Sequence, residues 1–180
     1  MSKIRSFTVE NLIKPAVFGA SDGIITTFAV VASVAGARLP ASVVIIMGIA
    51  NMVADGLSMG LGDYLGERSV QLVKAQNAGQ SVPAPAWQTS VVTFASFIFA
   101  GLFPLVPYLS FYIGIMVPAE NQFLLSLIAT ACAMFFIGSL RSIVIKRPWW
   151  KNGLEMLFVG SLAAVVAYLF GYLIDQVVLK

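Results

Sequence analysis

Five side chains of the kind that bind divalent cations recur at every fourth position in the second apolar stretch of the chain. They are an amide, a thioether and three carboxylates: Asn51, Asp55, Met59, Asp63 and Glu67. Residues four apart share one face of an α-helix, so this spacing predicts a single polar stripe. Carboxylate and amide oxygens suit divalent ions, and the thioether adds one softer ligand. The stripe therefore predicts a path for a divalent transition metal.

Some members of the stripe have simpler interpretations. Met59 is of a residue type that commonly fills cores, and Asp63 and Glu67 lie near the predicted end of the span, where water can solvate them. Asp55 differs, because it lies roughly 16 Å inside the span when counted from Gly66 at about 1.5 Å per residue. An ionised group at a helix centre costs roughly 2.5–3.5 kcal/mol on insertion scales, so it normally faces a cavity or a partner. We expect Asp55 to be functional, with a buried hydrogen bond as the alternative.

The first apolar stretch supplies a further carboxylate, Asp22. Counted from Pro15, Asp22 lies about 10 Å into the membrane, and Met59 reaches a similar depth on the second stretch. The two side chains are therefore predicted to face each other across a metal-binding cavity. The alternative is that Asp22 is the N-cap of a helix that begins at a break at 21–23.

The composition predicts that lipid is the main solvent of this chain. Hydrophobic residues make up 59% and charged residues 11% of the sequence, whereas a soluble domain carries about 25% charged residues. The single cysteine, Cys132, forms no internal disulfide, and histidine is absent, so oxygen and thioether groups must supply any metal ligands. The basic residues are scattered between apolar runs, which argues against nucleic acid as a partner.

Five stretches contain the roughly 20 apolar residues that a helix needs to cross the hydrocarbon layer. They predict an all-α membrane protein with a single transmembrane domain over residues 1–180 and a short cytoplasmic loop at 67–86. The predicted spans lie at about 15–37, 41–66, 88–110, 121–144 and 154–177. Most lysines and arginines fall on the side of the N-terminus. By the positive-inside rule, this predicts a cytoplasmic N-terminus and an external C-terminus.

Small residues accompany the polar stripe on the second span. Gly56 and Gly60 form a GxxxG pair, and Ser58, Gly62 and Gly66 form a second row. Such rows let helix backbones approach closely. We therefore expect the second span to be central, packed against other helices or against a second subunit.

Several segments resemble the vacuolar iron transporter family of divalent-metal/proton exchangers. The resemblance rests on DGIITT at 22–27, ANMVADGLSMGLGDYL at 50–65, FPLVPY at 103–108, and GLEM at 153–156 followed by Gly160. It implies a dimer of five-helix subunits with an ion path near the subunit interface, which exchanges ferrous iron, and often manganese, for protons. By motif match, Asp22 and Met59 occupy the family's intramembrane metal-binding positions.

The sequence departs from the family pattern at two places. Asn51 stands where some members carry a glutamate, and we expect Asp55 to compensate. Many members also insert a glutamate-rich cytoplasmic helical domain after the second span, whereas the 67–86 segment keeps only Glu67. The chain thus resembles the compact branch that lacks this metal-gathering domain.

The expected function is export of Fe²⁺ or Mn²⁺ from the cytoplasm in exchange for protons. The metal is then a transported substrate rather than a permanently bound cofactor, and the expected assembly is a homodimer in the lipid bilayer. The short loops favour a prokaryotic inner membrane, with an organelle membrane as the alternative.

Two other function classes remain open at this point. The missing domain is compatible with a non-transporting metal sensor or assembly partner. Residues 60–63 read GxGD, a motif of intramembrane aspartyl proteases, in which two aspartates activate water. The accompanying Tyr-Asp pair and Pro-Ala-Leu segment are absent. We therefore expect that the chain is not an enzyme.

Overall fold

The computed structural model describes residues 9–78, 86–110, 114–115, 117–145 and 147–178. These ranges contain no strand, and their helices are α1 (Val9–Gly36), α2 (Ala41–Ala78), α3 (Trp87–Leu109), α4 (Ala119–Leu140), α5 (Ser142–Ile145) and α6 (Trp149–Val178). All except the four-residue α5 are long enough and apolar enough to cross a membrane. The predicted all-α fold with five membrane-spanning helices is confirmed.

The second helix continues past its predicted end. α2 runs from Ala41 to Ala78, so the first part of the predicted 67–86 loop is helical. The reason is local, because residues 67–78 contain no glycine or proline and are rich in good helix formers. With 38 residues, α2 is about 57 Å long at 1.5 Å per residue. A hydrocarbon layer is about 30 Å thick, so part of this helix projects into water.

The long helices alternate in direction and pack around α1. Gly19 of α1 lies against the backbone of Thr93, and Gly23 lies against the backbone of Phe97, so α1 and α3 run parallel. α1 also contacts α2, α4 and α6, whereas α2 packs mainly on α1 and α3. Within one chain the central helix is therefore α1, and α2, expected to be central, lies at the edge of the bundle.

Buried apolar residues form two clusters at different heights in the bundle. We call the side where α1 begins the N-terminal side, and the side where residues 37–40 join α1 to α2 the turn side. The cluster toward the turn side unites the first three long helices through Phe28, Val31, Val34, Val44, Leu105 and Tyr108. The cluster nearer the N-terminal side consists of Ile24, Ala100, Ala133, Met134 and Met156. No residue of α2 belongs to this second cluster, so only the turn-side half of α2 is anchored in a described core.

Candidate metal path

α3 is the helix on which both α1 and α2 pack near the predicted metal ligands. A Cβ added to Gly56 or Gly60 of α2 would lie 3.2–3.3 Å from atoms of Phe94. One turn further along α3, the backbone of Phe97 lies against Gly23 of α1. The GxxxG pair of α2 is thus used inside the chain, because the missing side chains let α2 approach α3 closely.

This packing brings together two carboxylates, Asp22 of α1 and Asp55 of α2. Each immediately precedes a glycine that packs on α3, and the two carboxyl groups are close enough for their charges to interact. Both side chains are partly buried. Met59 lies one helical turn nearer the N-terminal side than Asp55, and the facing of Asp22 and Met59 across a cavity stays a prediction. Packing between the helices therefore brings together two carboxylates, a pair that was not predicted from depths in the membrane counted along the sequence.

Asp22 lies in the middle of a continuous helix. α1 runs without a break from Val9 to Gly36, and the hydroxyl of Thr26 donates a hydrogen bond of 2.9 Å to the backbone carbonyl oxygen of Asp22. An N-cap would require a helix to begin at residues 21–23. The interpretation of Asp22 as an N-cap is therefore wrong, and its carboxylate has no capping role.

The five residues of the polar stripe lie along one side of α2, and each is partly buried. From Asn51 to Glu67 the stripe extends about 24 Å at 1.5 Å per residue, which is too long for one coordination sphere. Across the described ranges no group of three or more His, Cys, Asp and Glu side chains is close enough to hold a metal ion. The arrangement is a row of separate ligands, with a second carboxylate joining it at Asp55.

Two atoms of the stripe are buried without a hydrogen-bond partner in the described part of the chain. They are Nδ2 of Asn51 and Oδ2 of Asp63. An unpaired buried polar atom costs about 1–3 kcal/mol, and water or an ion commonly supplies the missing partner. The buried oxygen of Asp63 weighs against a purely solvated role for that residue. Glu67, in contrast, accepts a hydrogen bond of 3.0 Å from Nε2 of Gln71, one turn along α2, as helix-surface pairs do.

The second row of small residues lies on a face of α2 that the described residues leave uncovered. A Cβ added to Gly62 or Gly66 would meet no described atom within 4 Å. Ser58, Leu61 and Leu65 are also exposed there. The two rows of small residues thus differ, since one packs on α3 and the other is free for a partner.

Sequence reasoning missed two buried residues beside the carboxylate pair, Thr27 and Met52. Both approach Gly101 of α3, and both are almost completely buried. The available signal was the row Met52, Gly56 and Gly60, which shares the fourfold spacing of the polar stripe. A row of small residues headed by a thioether marks the side of α2 that faces another helix.

Comparison with known proteins identifies relatives along almost the whole chain. The profile of the VIT family matches residues 13–79 and 71–172. A vacuolar iron transporter from Toxoplasma gondii is 25% identical over 95% of this chain and 77% of its own length. Vacuolar iron transporter 1 from Oryza sativa subsp. japonica is 24% identical over 91% of this chain and 86% of its own length.

The alignments also indicate where the chain is shorter than its relatives. The alignment with the Toxoplasma gondii protein covers 233 positions, more than the 180 residues of this chain, so that relative carries inserted residues. The two profile matches meet at residues 71–79, at the end of α2. These relatives are named as transporters, so the alternative of a protease with a GxGD motif is not supported. The chain is an integral, multi-pass membrane protein that belongs to the VIT family and is not an enzyme.

Proposed function

We propose that the protein carries a divalent transition metal, Fe²⁺ or Mn²⁺, out of the cytoplasm in exchange for protons. The observation that carries this proposal is the meeting of Asp22 and Asp55 inside a membrane-spanning bundle, at the end of a row of ligands. The names of the relatives support iron as a substrate. The mixture of oxygen ligands with one thioether fits either metal.

The exchange follows from the electrostatics of the carboxylate pair. Both carboxyl groups are partly buried, and a buried charge is stable only with a partner that neutralises it. Either a divalent cation or protons can neutralise Asp22 and Asp55, and each excludes the other from the same oxygens. Metal release to one side is therefore accompanied by proton uptake from that side, as metal–ligand and proton equilibria are linked.

The order of the ligands along α2 gives the proposed direction of travel. Glu67 and Asp63 lie toward the N-terminal side, which the distribution of lysine and arginine predicts to be cytoplasmic. Met59 comes next, followed by the pair of Asp55 with Asp22. We propose that the metal enters along this row and that Asn51 contacts it beyond the pair. A prokaryotic inner membrane is the proposed location, with an organelle membrane as the alternative because the relatives are vacuolar by name.

Uptake by purified protein in liposomes tests this function. We expect uptake of Fe²⁺ and Mn²⁺ when the metal is added to the side of the N-terminus, together with proton movement in the opposite direction. Uptake should be faster when the liposome interior is more acidic than the outside. Metal uptake and internal pH are followed together, with Zn²⁺ and Co²⁺ for comparison and protein-free liposomes as the control. Metal binding without flux would indicate a sensor, and flux without proton movement would indicate a channel.

We also propose that two copies assemble through the uncovered face of α2. Gly62 and Gly66 leave space there, as small residues do where membrane helices meet, and the face adjoins the polar stripe. A subunit contact at this position encloses the row of ligands between two copies of α2.

Replacement of Gly62 by leucine is expected to prevent this assembly. The added side chain occupies the space that a second helix needs, while no described atom of the same chain lies within 4 Å of the Cβ position. Light scattering of the detergent-solubilised protein should give a dimer mass for the unmodified chain and a monomer mass for Gly62→Leu. Ala95→Leu, at an exposed position of α3, is the matched control and should remain dimeric. A dimer in all three proteins would contradict this interface.

A further inference from the structure

Directly beyond the carboxylate pair, on the turn side, three helices meet at Gly101 of α3. A Cβ added to Gly101 would lie 2.9 Å from Oγ1 of Thr27, 3.1 Å from Sδ of Met52 and 3.2 Å from the carbonyl oxygen of Gly23. Thr27 and Gly23 belong to α1, and Met52 belongs to α2. The contacts are therefore tight, and an added methyl group would fit only if the side chains of Thr27 and Met52 shifted.

The position of this junction follows from the directions of the helices. Thr27 is five residues past Asp22 on α1, which is about 7.5 Å nearer the turn side. Met52 precedes Asp55 by three residues on the antiparallel α2, which is about 4.5 Å in the same direction. Past the junction lies the turn-side apolar cluster, which includes Val31, Val44 and Leu105. A metal held at the carboxylate pair is thus separated from the turn side by the junction and then by a packed core.

The N-terminal side of the carboxylate pair is built differently. α2 contributes no residue to the apolar cluster nearer that side. Gly56 and Gly60 of α2 approach Phe94 of α3 on this side. The described part of α2 is therefore anchored in an apolar cluster only on the turn side of the pair.

Thr27 contributes a polar group to this junction. Its side chain is 0% exposed, and its hydroxyl oxygen has no hydrogen-bond partner among the described residues. An unpaired hydroxyl is costly in an apolar core, but it gains a partner when water or a metal ion enters. The neighbouring thioether of Met52 is a weak acceptor and a soft ligand. These two groups place a hydroxyl and a thioether, both able to contact an ion, at the junction.

We propose that Thr27, Met52 and Gly101 form the gate on the turn side of the metal path, closed in this structure. Separation of α1 from α2 at Gly101 opens the gate, and the hydroxyl and thioether then contact the departing metal. This inference rests on the proposed transport function, because a gate has a role only if an ion passes.

Access of a thiol reagent to single cysteines tests the gate. In a Cys132→Ser background, Thr27→Cys, Met59→Cys and Leu39→Cys are each reconstituted in liposomes, and a membrane-impermeant maleimide is added to one side at a time. Leu39 lies in the exposed turn between α1 and α2, so Leu39→Cys is the accessible control for that side. Met59→Cys should react only from the N-terminal side.

The reaction of Thr27→Cys distinguishes a closed gate from an open one. A minor open state is populated at about 10% or less, so reaction from the turn side should be at least about tenfold slower than that of Leu39→Cys. A Mn²⁺ gradient across the membrane should accelerate it severalfold. Addition of Gly101→Ala should accelerate it without any metal, because the added methyl group crowds the side chains at positions 27 and 52 and the backbone of Gly23, whereas Ala95→Leu, at an exposed position of the same helix, should not. If Thr27→Cys does not fold, Met52→Cys replaces it.

Equal reaction rates of Thr27→Cys and Leu39→Cys from the turn side, without metal, would overturn the gate. The gate would also be overturned if the protein transports Mn²⁺ in the flux assay but Mn²⁺ does not accelerate the labelling of Thr27→Cys. Absence of metal flux in the unmodified protein would instead refute the proposed transport function. The labelling rates measured without metal would still show whether the turn side of Thr27 is closed. Failure of the gate and failure of the transport function are therefore distinguishable.

Discussion

Replacement of Asp22 by asparagine is expected to lower metal uptake by at least about tenfold. Loss of even an outer-shell partner of a metal site typically costs 10–100-fold in affinity or activity, and Asp22 is proposed to contact the metal directly. Asparagine keeps the shape of the side chain and one ligand oxygen but removes the negative charge that a cation or a proton must neutralise. Both the metal flux and the coupled proton movement should therefore fall together.

The same substitution should leave the fold intact and slightly stabilise it. Asp22 is partly buried, and the amide of asparagine carries no charge whose burial is costly. The melting temperature of the detergent-solubilised protein should rise by roughly 2–4 °C for each kcal/mol of this cost that is removed. A stable protein that has lost transport separates a functional role of Asp22 from a structural one.

Asp175→Asn provides the matched control for this prediction. Asp175 is also an aspartate within a membrane-spanning helix, but it lies near the end of α6 and accepts a hydrogen bond of 3.4 Å from Gln176. Its replacement should leave uptake close to that of the unmodified protein. Transport by Asp22→Asn at the unmodified rate would remove Asp22 from the proposed site.

Replacement of Gly23 by alanine is expected to cause a large loss of stability. A Cβ at this position would overlap the backbone carbonyl group of Phe97, and a backbone atom cannot rotate away as a flexible side chain can. α1 and α3 must therefore move apart. Overpacking of this kind costs about 3 kcal/mol at the upper end of its usual range, equivalent to a fall of about 6–12 °C in melting temperature.

Ala95→Leu is the control, because it adds bulk at an exposed position of α3 that lies outside the proposed subunit contact. Leucine is almost as good a helix former as alanine. The melting temperature of Ala95→Leu should therefore be nearly unchanged. Equal melting temperatures for the two variants, measured by thermal unfolding in the same detergent, would contradict the close contact of α1 with α3.

The sequence alone was sufficient to predict the five spans and the polar stripe. Apolar stretches of about 20 residues determine membrane-spanning helices because the backbone must satisfy its own hydrogen bonds in lipid. The fourfold spacing from Asn51 to Glu67 determines a common helix face because it is close to one helical turn. Both are local properties of the chain. The helical state of residues 67–78 was not predicted, because helix formation there depends on backbone propensity and not on hydropathy.

The tertiary structure alone decided which residues face one another. The pairing of Asp22 with Asp55 depends on how α1 and α2 are aligned on α3, and that alignment is set by the contacts of Gly23 and Gly56 with residues of another helix. The junction at Gly101 arises in the same way. Sequence spacing gives the direction of each side chain around its own helix, whereas the relative heights of two helices result from packing between residues far apart in the chain.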